Sequence, residues 1–67
     1  MIACNSCSLA LNNADTSHVD ASDLDTVTRN IEAAGRVAVT HFSEYAIFVC
    51  DFCEYGFCAD AYKYEAV

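Results

Sequence analysis

The clearest periodicity in the chain lies in its middle. From Ala21 to Ala34, Leu24, Val27, Ile31 and Ala34 recur at helical spacing and form one apolar stripe between polar positions. Asp20 or Ser22 can cap the first turn, and Asp23 and Asp25 add negative charge where the helix dipole is positive. Gly35 suits the position just past the end, with Arg36 beside the negative pole. The spacing predicts a helix over Ala21–Ala34. Beyond Arg36 the period falls to two. Val37, Val39 and His41 alternate with Ala38, Thr40 and Phe42, the mark of a strand. Ser43-Glu44-Tyr45 reads as a short connection, and the unbroken apolar run Ala46-Ile47-Phe48-Val49 as a second, well-buried strand. In Phe57–Tyr64, Cys58, Asp60, Tyr62 and Tyr64 alternate with Phe57, Ala59, Ala61 and Lys63, which predicts a third. Ahead of the helix, Ile2 leads in and Ser8-Leu9-Ala10-Leu11 reads as a returning strand with Leu9 and Leu11 on one face. Asn12–Ser17 is a polar loop.

Two junctions in this pattern hold the same spacing, Cys4-Asn5-Ser6-Cys7 and Cys50-Asp51-Phe52-Cys53. A Cys-x-x-Cys turn points both sulfurs the same way, and its backbone N–H groups can hydrogen-bond the thiolates. Two such pairs far apart in sequence supply four thiolates to one tetrahedral zinc. Cys4, Cys7, Cys50 and Cys53 are read as the ligands of one structural Zn2+, closing the chain nearly end to end. Iron also suits four thiolates and would colour the protein red. Gly56 is placed to relieve the backbone where the second turn bends back into a strand. Cys58 reads as a small buried residue of the last strand, with a substitute ligand or a reactive thiol as alternatives; no basic residue lies near it in sequence to lower its pKa. His41 falls at the core edge or surface of its strand, and His18 in the polar loop.

Turn, helix, hairpin, turn and strand, with Cys4, Cys7, Cys50 and Cys53 as their metal ligands, resemble the zinc-ribbon and rubredoxin-like group, in which two cysteine knuckles face each other across the metal. The resemblance covers the knuckle regions and implies a small zinc-stapled α+β domain over 1–67, with a short antiparallel sheet. The helix is an insertion relative to a minimal ribbon. The glycine that often follows the second cysteine of such a knuckle is replaced by Ser8 and Glu54, with Gly56 two residues late. The short, acidic, four-cysteine style is also similar to that of small proteins encoded by bacterial viruses.

At 67 residues the chain is expected to form one domain, of a size that commonly relies on a metal, a disulfide or a partner. A hydrophobic share of 55% argues against disorder, and no apolar run is long enough for a membrane span. Met1-Ile2-Ala3 leaves no room for a signal peptide before Cys4, so a cytoplasmic location is expected, where thiols favour metal over disulfides. Ten acids stand against Arg29, Arg36 and Lys63, a formal charge of −7. With no basic cluster, direct nucleic-acid binding is not expected; an acidic surface suits a basic partner protein.

Catalysis finds no support in the motifs. A zinc deaminase pairs His-x-Glu with Pro-Cys-x-x-Cys, whereas His41-Phe42-Ser43-Glu44 is one residue too long and proline is absent. A thioredoxin-type reading of Cys50 and Cys53 needs a larger βαβ domain, and four thiolates leave no open position for water. The chain is therefore read as a non-enzymatic protein-interaction module, an inhibitor or adaptor of a host protein if the viral resemblance holds. Its contact face is expected at Asp51, Phe52, Glu54, Tyr55 and Asp60, an exposed aromatic centre with an acidic rim. A nucleic-acid mimic and an accessory subunit of a larger complex are the alternatives.

Overall fold

The computed structural model describes residues 1–67. A two-residue strand β1 (Ile2–Ala3) leads into helix α1 (Asn5–Asn13). A loop and a 3-10 turn at Ala21–Asp23 precede helix α2 (Leu24–Ala34), and two long strands follow, β2 (Val37–Val49) and β3 (Gly56–Ala66). The sheet is antiparallel with order β1-β3-β2, so the fold is α+β, as the periodicities predict. The middle helix lies where the apolar stripe puts it. Val27 is its fully buried residue, and Gly35 ends it at φ 71°, its N–H shared between the carbonyls of Ile31 and Glu32 at 3.3 Å. That conformation is open to glycine at little cost.

Three expectations fail. Ala46–Val49 is a strand but not a well-buried one: Phe48 alone is buried in the core, and Ile47 and Val49 lie exposed on the opposite face. Ser8–Leu11 is not a returning strand: it lies inside α1, which begins at Cys4 as N-cap. Cys4, Cys7, Ser8 and Leu11 stand at i, i+3, i+4 and i+7, a helical stripe that a four-residue window read as alternation conceals. Ser43–Tyr45 is not a hairpin connection. β2 runs through it as one strand and pairs with β3 along its length, and the turn of the hairpin is the second Cys-x-x-Cys loop. β2 has 13 residues against 11 in β3, and the register shifts at Val39/His41 and again at Ser43/Ala46. Each shift inserts one residue, a β-bulge that bends the strand and raises its twist. Tyr45, in the second, takes the left-handed φ of 52°.

The core cluster joins Ala3, Cys4, Cys7, Val27, Phe48, Cys50, Phe52, Ala61 and Tyr64. α1 is fastened to β3 by a buried pair of hydroxyls, Ser8 Oγ and Tyr64 Oη, 2.7 Å apart, and Asn12 Nδ2 donates to the same Ser8 oxygen at 3.3 Å. Phe48 and Phe57 stack across the hairpin with centroids 5.6 Å apart. No helix is long and apolar enough to cross a membrane.

Candidate metal centre

Each cysteine pair owes its position to a different element. Cys4 ends β1 in extended conformation (ψ 172°) and its carbonyl accepts the first helical bond from Ser8 N–H at 2.8 Å, so Cys7 lies one turn into α1. Cys50 and Cys53 belong to the hairpin loop, where Cys50 N–H donates to Tyr55 O and Glu54 N–H to Cys50 O, both at 3.0 Å. The two loops are then clamped together. Asp51 N–H donates to Ile2 O at 2.9 Å, and Ile2 N–H donates to Asp51 Oδ2 at 2.7 Å. From α2, Asn30 Nδ2 donates to Phe52 O at 2.8 Å and to Glu54 Oε2 at 3.0 Å.

The result brings the sulfurs of Cys4, Cys7, Cys50 and Cys53 within 4.8 Å of one another, the first three buried and Cys53 half-buried. Cys4 Sγ and Cys53 Sγ are 3.8 Å apart. A Zn–S bond of about 2.3 Å sets the edge of a tetrahedron at about 3.8 Å, so the donor set has the size that four-thiolate zinc needs. Cys4 N–H and Phe52 N–H point at Cys50 Sγ at 3.5 and 3.4 Å, which stabilises negative charge on that sulfur.

Protonation in the bare cluster carries the same message. Cys50 is held far below the usual thiol range by hydrogen bonds from the thiols of Cys4 and Cys7. Cys7 is driven far above it, first by its hydrogen bond with Cys4 and then by Cys50 and burial. Burial is the main cause that pushes Cys53 up to about 12. Crowding of the sulfurs thus favours negative charge on Cys50 and disfavours it on Cys7 and Cys53. Four thiolates at this separation require a divalent cation, and the set fits a structural zinc ion with no position left for water.

The other candidates lie elsewhere. Cys58 is neither buried nor a ligand: it is exposed, because the alternation that turns Phe57 toward Phe48 turns Cys58 to solvent beside Ile47. His41 is exposed on β2, away from the sulfurs. His18 is exposed in its loop and lines an open cleft of about 600 Å³ against Cys4, Cys7 and Cys53, with Asp20, Asp23 and Tyr55 on the same wall. Of the five residues expected at a contact face, Asp51, Glu54 and Tyr55 are exposed and Asp60 is half-buried. Phe52 is the correction: at 1% exposure it is a core residue, because Asn30 and the two N–H···S contacts turn its ring inward beneath the loop. Tyr55 Oη donates to Asp23 Oδ1 at 2.9 Å, which raises the phenol pKa, the bonded carboxylate being the main cause.

The glycine expected to relieve the second turn is also misplaced. Gly56 opens β3 without a positive φ, and Glu54, directly after Cys53, takes the left-handed φ of 69°. Ser8, at the equivalent place after Cys7, is helical and needs no such freedom. Asp51 and Asn30, which join the parts of the centre, carry no signal of that role in the sequence; their neighbours in space are far away along the chain. No family model, curated protein or solved structure matches this chain.

Proposed function

We propose that the chain is a non-enzymatic protein-interaction module whose fold is stapled by one structural zinc ion and whose acidic surface engages a partner with a basic surface. The observation that carries the reading is the closed donor set of Cys4, Cys7, Cys50 and Cys53. A four-thiolate centre organises a fold and offers no reactive position, so function moves to the surface around it. Four of the ten acids stand there. Asp51 and Glu54 are exposed on the loop that carries Cys50 and Cys53. Asp20 and Asp23 line the adjoining cleft, linked to the loop by the Tyr55–Asp23 hydrogen bond. A zinc tetrathiolate adds two further negative charges at the same end, a field that attracts Arg and Lys side chains. A reducing cytoplasm is the compartment in which such thiols stay available to metal. The small acidic style supports a virus-encoded inhibitor or adaptor of a host protein.

Native mass spectrometry with and without chelator, followed by circular dichroism, tests the metal: one zinc per chain is expected, with folding lost on removal. The surface is tested with Asp20→Lys and Glu54→Lys, which leave the Asp51 clamp intact. A basic protein retained by the wild type must be released by salt and lost by both variants. Equal retention by zinc-loaded variants overturns the acidic-surface reading.

A further inference from the structure

β2 leaves one long edge of the sheet without a neighbour, since β3 lies on its other side. None of the backbone hydrogen bonds outside the helices and sheet involves Ala38–Val49. At the hairpin end Cys50 N–H turns inward to Tyr55 O, so by alternation Phe48 and Ala46 bond toward β3, while the N–H and C=O groups of Ile47 and Val49 point away from the sheet. The side chains there are bare as well. Ile47 and Val49 are 88% and 61% exposed and share one face, with exposed Cys58 directly across from Ile47, and Tyr45 in the adjoining bulge is 82% exposed. The strip puts three large exposed side chains within five residues of a free edge.

Soluble proteins shield such edges with charge, proline or bulges. Here both bulges fall before Ala46, and Tyr45–Val49 carries no charge and no proline. We propose that this edge is covered by a second copy of the same chain. β2 pairs antiparallel with its counterpart about a two-fold axis near Ile47, joining two three-stranded sheets into one of six. Charge confines a second copy to this strip. Two chains of −7 repel over most of their surfaces, and Glu44 is the one acid among the thirteen residues of β2. A basic partner gains nothing from this strip, whereas an identical strand offers matching donors, acceptors and apolar side chains. The pairing is isologous, so it closes at two copies. Buried area below about 1,200 Å² places it among weak, reversible contacts.

The test is sedimentation of the zinc-loaded protein over a concentration series reaching about 1 mM, high enough to populate weak association. The expected result is a reversible shift from the 7.3 kDa monomer to twice that mass, with the amides of Ile47 and Val49 gaining exchange protection as concentration rises. Ile47→Lys, on an exposed side chain, is expected to keep zinc and the circular dichroism spectrum and to abolish both effects. Cys58→Ser is expected to leave them unchanged, since antiparallel edge pairing holds the two Cys58 residues three strand spacings apart, about 14 Å. A monomer throughout overturns the proposal. So does an open-ended aggregate, or a dimer that persists in folded Ile47→Lys or depends on Cys58.

Discussion

Removing the metal is the perturbation that tests the architecture most severely. Three of the nine core residues, Cys4, Cys7 and Cys50, belong to the four-sulfur cluster. The larger fully buried side chains are Tyr64, Phe52 and Val27. Burying three such groups contributes roughly 5–9 kcal/mol before the cost of ordering the chain, and domains this small seldom net more than about 3–5 kcal/mol from their cores. A structural zinc bound by cysteines contributes about 10–16 kcal/mol at neutral pH. That exceeds what these three side chains contribute, so a bound zinc ion would dominate the stability of the fold. Chelation under reducing conditions is therefore expected to unfold the protein, read as loss of amide dispersion in NMR and of the circular dichroism spectrum, with full return on one equivalent of zinc. Cys50→Ser should behave like the chelated protein and Cys58→Ser like the wild type. The pH dependence has a definite sign. Metal depresses the ligand pKa values in the folded state, so its stabilisation is present above the ordinary thiol range and is lost as pH falls. A metal-free sample, verified by mass, that keeps its dispersed spectrum at neutral pH would refute the reasoning.

Three smaller perturbations address single contacts. Ser8→Ala leaves the buried Tyr64 hydroxyl without a partner and should cost about 1–3 kcal/mol in chemical denaturation of the zinc-loaded protein. Tyr64→Phe should cost less, because Ser8 Oγ keeps Asn12; equal costs would mean the hydroxyl pair is not the fastening between α1 and β3. Glu54→Gly and Glu54→Ala both lose the Asn30 contact, but only glycine relaxes the left-handed backbone at φ 69°. Glycine is expected to be the more stable by about 0.5–1 kcal/mol, and equal midpoints would show that no strain resides there. Tyr55 should titrate above the ordinary phenol range by ultraviolet absorbance and move down in Asp23→Asn. Since the folded pKa is the raised one, the contact contributes below the ordinary phenol pKa of about 10 and is lost as pH climbs through the folded value. An unchanged titration in Asp23→Asn would break that link.

The sequence was most legible where a pattern is long and local. The stripe Leu24–Ala34 and the terminating Gly35 lie within one element, so period and cap point to the same helix. The four clustered cysteines were legible for a different reason: metal chemistry imposes a spacing that survives whatever lies between the pairs. The failures share a cause, which is that short runs are decided by distant partners. Ser8–Leu11 fits two periods equally well, and Tyr64, 56 residues later, selects the helix by taking Ser8 into the core. Ser43–Tyr45 lacks apolar alternation but remains in the strand because β3 is long enough to pair past it. Phe52 looks like a loop-tip aromatic until Asn30 and the N–H···S contacts fix which way the loop turns.

One spacing, Cys-x-x-Cys, ends in a helix at Cys7 and in a tight reversal at Cys53, and around that reversal lie two chemically different surfaces. The reversal exposes Asp51 and Glu54 and sets Tyr55 in a cleft that Asp20 and Asp23 also line. It also ends β2 on an uncharged edge at Ile47 and Val49. Ionic strength separates the two surfaces. Screening shortens the reach of the acidic end and should weaken its hold on any basic partner. The same salt lowers the repulsion between two chains of −7 and should strengthen pairing through β2. Sedimentation and partner retention measured at low and high salt are expected to move in opposite directions. If both weaken together, the β2 contact is electrostatic and the uncharged strip does not account for it.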